Sequence, residues 1–277
     1  MYLHHIPTYA RFQWINHPFM RKLLRSFLKP NPKGRKGYDK VLLFRWLMYK
    51  QVMRCSYRDL ESMTHIDYST FIKFRQRLQK RGWFSMVFSS LSTEVATSQT
   101  SLTALVDSSF VETYSRHYEE GATYSGYKEK IGFKLHQLID YVTRLPLMQF
   151  VSNGSYADIR GGEILVDRAP PSWRINAFAA DKAYDGQCFV HALARKWQGI
   201  MIAIPVRKKR GDDGRNRASR SMERTNDPSL YKKRTAIERY FSRKKGVFHC
   251  GEERTRGIKN FETNCYMTSI MEILEWR

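Results

Sequence analysis

Near residue 101 the apolar pattern of this 277-residue chain changes period, and that change limits the fold more than any other feature. Before it, apolar side chains recur at helical spacing. After it they gather into short runs at 102–111, 131–141, 145–151, 175–180 and 200–206. The first three runs are close enough in sequence to pair as antiparallel neighbours. The later two are set apart by helical stretches around 162–168 and 187–197. This order, closed by further helices, implies an α/β fold with a mixed sheet covered by helices. Two domains are expected, a helical one over 1–98 and the sheet-bearing one over 99–277.

In the first domain, Val41, Leu42, Leu43, Phe44, Trp46, Leu47, Met48, Val52 and Met53 suit a buried helix after a turn around Gly34 and Gly37. A short helical pattern follows at 57–63, then a polar break at 64–67. From Ser69 to Lys80, Phe71, Phe74 and Leu78 alternate with Lys73, Arg75, Arg77 and Lys80. Two short helices with a tight turn, the second basic, have the form of a helix-turn-helix, and Lys73, Arg75 and Arg77 are its candidate DNA contacts. An ordinary helical bundle with a solvated basic face gives the same pattern.

The net charge is +22, from 48 Lys and Arg against 26 Asp and Glu, but it is unevenly spread. Residues 1–100 carry 18 basic and 5 acidic side chains, residues 101–200 carry 11 of each, and the remainder carries 19 and 10. Basic ends around a neutral middle suit an enzyme acting on a polyanion better than a histone-like binder, which needs no neutral middle. With 42% apolar and 27% charged residues the composition excludes global disorder. No apolar run reaches the roughly 18 residues of a membrane helix, and the N-terminus does not read as a signal peptide. A cytoplasmic chain with no membrane partner is expected. Cys55, Cys188, Cys250 and Cys265 form no C-x-x-C pair, so four reduced and mostly buried thiols are expected. Trp14, Trp46 and Trp173 read as core, and His136 as structural.

Asp107 and Asp181 each close a strand-like run, where a carboxylate can be held rigidly. A basic segment, 207–226, reads as an exposed loop, and Asp227-Pro228 then supplies a cap and first-turn proline for a helix running to about Val247. At about 100° per residue, Tyr231, Arg234, Glu238 and Lys245 share one stripe beside the apolar sector of Ala236, Ile237, Tyr240 and Phe241. Carboxylate oxygens suit Mg²⁺ or Mn²⁺, and two such ions can stabilise both oxygens of an in-line phosphodiester displacement. Arg234 and Lys245 would steady phosphates, and Tyr231 could stack on a base or bond a phosphate. Asp185 reads instead as a helix cap, and Asp140 and Asp158 as turn residues. The chain closes on an expected amphipathic helix over 261–276.

The Tyr231, Arg234, Glu238, Lys245 spacing resembles the Y-x2-R-x3-E-x6-K signature of bacterial and archaeal insertion-sequence transposases of the DDE type. The stretch Ala180-Asp181-Lys182-Ala183-Tyr184-Asp185 is similar to their second-aspartate block, with Ala183 where glycine is common, and Val106-Asp107-Ser108-Ser109 resembles the first. Gly132-Phe133-Lys134-Leu135-His136 with Asp140 and Leu145-Pro146-Leu147 looks like the strand pair between them. Gly34-Arg35-Lys36-Gly37-Tyr38-Asp39 and 67–75 are similar to the preceding helical domain. The resemblance implies an RNase H-like core holding two Mg²⁺ or Mn²⁺ ions on Asp107, Asp181 and Glu238. It also implies cleavage at the element's terminal inverted repeats, transfer of the freed 3′-hydroxyl into target DNA, a dimer in the DNA complex and association with the nucleoid. The stretch between Val206 and Pro228 leaves no room for the large insertion that some relatives carry. Two other readings share these acids, an RNase H-like nuclease or resolvase without strand transfer and a domesticated DNA-binding protein.

Overall fold

The computed structural model describes residues 5–28, 37–113, 119–208, 221, 224–225, 227–252 and 256–276. A 3-10 turn, Ala10–Asn16, leads into helices α1 (Pro18–Phe27), α2 (Lys40–Met53), α3 (Tyr57–Thr64), α4 (Tyr68–Lys80) and α5 (Trp83–Ser98). Asp39 caps α2 by accepting from the Val41 amide at 2.8 Å, and Arg54 ends it in the left-handed region. Ser56 and Asp59 form a capping box on α3, which stops at His65, also left-handed, before Asp67 caps α4. The expected pair of helices and its tight turn thus have a local cause at each end. Of the motif expected at 34–39, residues 34–36 lie outside the described residues.

Six strands follow: β1 (Leu102–Glu112), β2 (Thr123–Ser125), β3 (Lys130–Asp140), β4 (Pro146–Asn153), β5 (Ile175–Ala179) and β6 (Met201–Ala203). The sheet runs β2-β3-β1-β5-β6, with β4 also on β3. β1, β3 and β4 are antiparallel, whereas β1, β5 and β6 are parallel. The parallel strands are linked through α6 (Asp158–Arg168) and α7 (Gln187–Lys196). Beyond β6 come α8 (Pro228–Lys233), α9 (Thr235–Gly246) and α10 (Ile258–Trp276). This is the mixed, helix-covered sheet expected, in the RNase H-like arrangement. Residues 209–220, 222–223 and 226 of the basic segment lie outside the described residues.

Strand alternation splits the core across the sheet. Ala104 and Val106 join Leu165, Val166 and the N-terminal helices on one face. Leu105 joins Ala177, Ala179, Ala203, Leu230, Ala236, Ile237 and Tyr240 on the other. Alanines on β5 and β6 let α8 and α9 approach the sheet closely.

Three expectations need correction. The closing helix is not amphipathic: α10 is buried from Phe261 to Leu274 on nearly every side, because the N-terminal helices cover the face it turns from the sheet. Arg75 is not on the solvent face of α4. It is 5% exposed, since Phe71, Phe74, Arg75 and Leu78 form one helical stripe, and it donates to Asn260 Oδ1 at 2.9 Å and Asn264 Oδ1 at 2.6 Å. The thiols are not mostly buried: Cys250 and Cys265 are, Cys55 is half-buried and Cys188 is exposed.

Candidate active site

Asp107 lies on β1 two residues past Leu105, so alternation turns it toward α8 and α9. Its Oδ1 accepts from the Ser108 amide at 2.8 Å. Burial pushes its carboxyl up to about 7; the negative charges of Asp181 and Asp158 push the same way, against the Ser108 N–H and Arg234. Asp181 follows β5, where its Oδ1 accepts from the Ala183 amide at 2.7 Å and opens a 3-10 turn, Lys182–Tyr184. Ala183 needs no left-handed φ there, so the missing glycine is accommodated.

Asp227 caps α8 by accepting from Ser229, with Pro228 in the first turn, as expected. The expected single helix has its hydrogen-bond ladder tightened at Arg234, where the Arg234 amide bonds Tyr231 O and the Ile237 amide bonds Arg234 O. Arg234 stays in helical φ and ψ, so the chain direction continues. Its guanidinium lies 2.8 Å from Glu238 and 5.8 Å from the Tyr231 ring centroid. Burial opposes the charge of Arg234, but Glu238, Tyr231 and Asp107 together raise its pKa above the usual value. Arg234 therefore links Glu238 electrostatically to Asp107. Lys245 is half-buried and donates to Phe110 O on β1 at 2.9 Å. Lys73 and Arg77 project to solvent from α4, away from the stripe that holds Arg75.

The donor set fits a hard cation. Two aspartates feel each other's charge, one of them in a buried setting that disfavours a bare carboxylate, and a third acid stands on the adjoining helix. Among the described residues no three His, Cys, Asp or Glu side chains form a ready metal cluster. Glu238, with 55% of its side chain exposed, is instead held by Arg234. A cavity of about 1020 Å³ is lined by Trp14, His17, Val95 and Leu274 rather than by these acids. An open face suits a polymer substrate better than a pocket does.

Several contributors escape the sequence reading. Asp158 is not a turn residue but the first residue of α6, where its Oδ1 accepts from Ser108 Oγ at 2.6 Å and from Lys134 Nζ at 2.9 Å. Asp185 is the C-cap of the Lys182–Tyr184 turn through its backbone N–H, and its side chain does more: it is buried against the Arg224 guanidinium at 2.5 Å and accepts from the Arg207 amide at 2.6 Å. It thereby ties down both flanks of the basic segment, and Arg224 is not exposed as a loop residue would be. Asp140 does cap its turn, through Thr143. Tyr184 is fully buried beneath Asp107, Asp158 and Asp181, whose charges, with burial first, raise its pKa. Gly161 and Gly162, adjacent on α6, make these approaches possible. A Cβ on the first would fall 2.1 Å from His136 Nδ1, and one on the second 2.9 Å from the Tyr184 ring.

No helix among the described residues is long and apolar enough to cross a membrane. The comparison with curated proteins returned no match. The family of the transposase DDE domain matches residues 98–272, which span the whole sheet, Asp181 just past β5, Asp107 in the middle of β1 rather than at the strand end expected of it, and the Arg234–Glu238 helix, and the chain belongs to this family of transposases.

Proposed function

We propose that the protein cuts DNA at the terminal repeats of its own mobile element and joins the freed 3′-hydroxyl to target DNA. What supports this reading is the Arg234–Glu238 pair at 2.8 Å, whose guanidinium lies in the field of Asp107, which in turn lies in the field of Asp181. Asp107, Asp181 and Glu238 would hold two Mg²⁺ or Mn²⁺ ions, which when bound supply Lewis acidity at the attacking and leaving oxygens. Glu238 joins the set by leaving Arg234, whose guanidinium then faces a phosphate oxygen with two donors. The Tyr231 ring lies 5.8 Å from that guanidinium, close enough to favour its charge. Lys245, anchored on Phe110 O, adds positive charge further along β1. Lys73 and Arg77 contact flanking DNA, and two protomers act together on paired ends.

The test is to incubate the purified protein with Mg²⁺ and DNA bearing the repeats that flank its gene, then map cut and joined strands. Cuts at the repeat ends followed by joined products support the proposal. Cuts without joining favour a nuclease or resolvase, and binding without cuts a domesticated DNA-binding protein.

A further inference from the structure

The β2–β3 ribbon projects from the edge of the sheet, and its tip is defined by backbone rather than by burial. The amides of Lys128 and Glu129 both bond Ser125 O, at 3.2 and 2.7 Å, and Glu129 takes the left-handed φ of 54° that closes such a turn. On this firm tip stands Tyr127, 89% exposed, the most exposed large apolar side chain among the described residues; Tyr124 beside it is 57% exposed. The ammonium of Lys128 lies 4.9 Å from the Tyr127 ring centroid. Lys130 is already matched by Glu112 at 2.6 Å, whereas Lys128 lies within electrostatic reach of Lys245, a like charge. Lys245 in turn bonds Phe110, three residues past Asp107 on β1. In the sheet register Glu112 faces Gly132, so the ribbon begins about 17 Å along β1 from Asp107.

We propose that this ribbon is a DNA finger, in which Tyr127 stacks on an unpaired base near the cleaved end while Lys128 and Lys245 share the adjoining phosphate. The inference rests on the reading of the chain as a DNA-cutting enzyme and adds to it a surface outside the acids and their helix. An exposed ring offers its π-face to any base, which makes it tolerant of sequence. Two mutually repelling ammonium groups are relieved by one anion between them. Bases inside a duplex are already stacked on each other, so the ring finds a partner only where a strand is open, as at a cut end. A protein partner is disfavoured by the surroundings, since Lys128, Glu129 and Lys130 put charge where the core of a protein interface is depleted of it.

The test measures binding of the full chain, in chelator so that no strand is cut, to a blunt duplex and to the same duplex with a single-stranded thymine overhang. Wild type should prefer the overhang. Tyr127→Ala should lose about tenfold in affinity for the overhang form and little for the blunt one, while Tyr127→Phe keeps the preference. Lys128→Ala should lower the slope of log affinity against log salt by about one for both DNAs. Unchanged overhang preference in Tyr127→Ala, or an equal loss on both DNAs, overturns the proposal. A change in self-association without DNA also overturns it and marks the ribbon as a contact between copies. Failure of the catalytic reading appears separately, as absent metal-dependent cutting by wild type.

Discussion

Arg234 and Glu238 pair across one helical turn, guanidinium nitrogen to carboxylate oxygen 2.8 Å, and the same guanidinium lies in the field of Asp107. The pair is partly solvated, with 20% and 55% of the two side chains exposed, so it contributes at most about 1 kcal/mol to folding. Its proposed use is on the substrate. Arg234→Ala should therefore lower DNA cleavage about a hundredfold while the thermal midpoint moves by only a few degrees. Arg234→Lys should recover little, because an ammonium lacks the planar fork. Cleavage rates and calorimetry on the same preparations decide it, and a large loss of stability with proportionate loss of activity would show a structural role instead.

Asp107, Asp181 and Glu238 are proposed to hold metal rather than DNA. Each substituted by Ala should abolish strand cutting while DNA affinity in chelator stays within a factor of about three. Full cutting by any one variant removes that acid from the site.

Two groups, the half-buried Asp107 and the buried His136, should give metal-free stability opposite slopes with pH. Asp107 has its pKa raised to about 7 from 3.8, so the native state holds a proton that the unfolded chain has lost, and stability falls as pH rises from about 4 to 7. His136 has its pKa lowered to about 4 from 6.5, mainly by burial, so the unfolded chain binds the extra proton and stability rises with pH over about 4 to 6.5. Each effect is of the order of 3 kcal/mol, and in wild type they largely cancel. Asp107→Asn should therefore expose a stability that rises with pH, and His136→Gln one that falls. Urea unfolding at a series of pH values in chelator reads both, and parallel curves for the two variants would refute the assignment.

What was legible in the chain follows from how local its causes are. The long strands announce themselves through apolar runs, and α8 through Asp227 and Pro228 at its start. β2 is hidden because Thr123-Tyr124-Ser125 has no apolar alternation and is held by pairing to β3. The inward turn of Arg75 is written in its four-residue spacing from Phe71, but its partners stand 185 and 189 residues away. Asp158 joins the candidate site through Ser108, fifty residues earlier, a contact no local pattern encodes.

The close approach of Gly161 to His136 predicts a reversal of helix propensity. Alanine in a helix is normally favoured over glycine by about 1 kcal/mol. At Gly161 the added Cβ would strike the His136 ring, whose Nε2 is fixed by Ser152 Oγ at 2.8 Å, so α6 must shift and draw Asp158 from Ser108. Gly161→Ala should cost about 1–3 kcal/mol. At Gly246, near the end of α9, a Cβ meets nothing within 4 Å, and Gly246→Ala should be neutral or stabilising. Denaturant midpoints of the two variants should move in opposite directions or, at the least, only the first should fall.

One turn beyond Tyr240, the fully buried Lys244 donates to Glu272 Oε2 at 2.9 Å, to Ser269 Oγ at 2.7 Å and to Tyr240 Oη at 3.1 Å, binding α9 to α10. Tyr240 Oη also donates to Glu272 at 2.8 Å. Both charges have exposures of 1% or less, so removing either leaves the other without a counter-charge in a dry interior. Lys244→Met alone or Glu272→Leu alone should each cost about 3–5 kcal/mol. The double variant should cost less than either single one, because the apolar pair leaves no bare charge. A double-mutant cycle by urea unfolding measures the coupling. Additive losses would mean that the two side chains are solvated independently and that α9 is oriented by its apolar face alone.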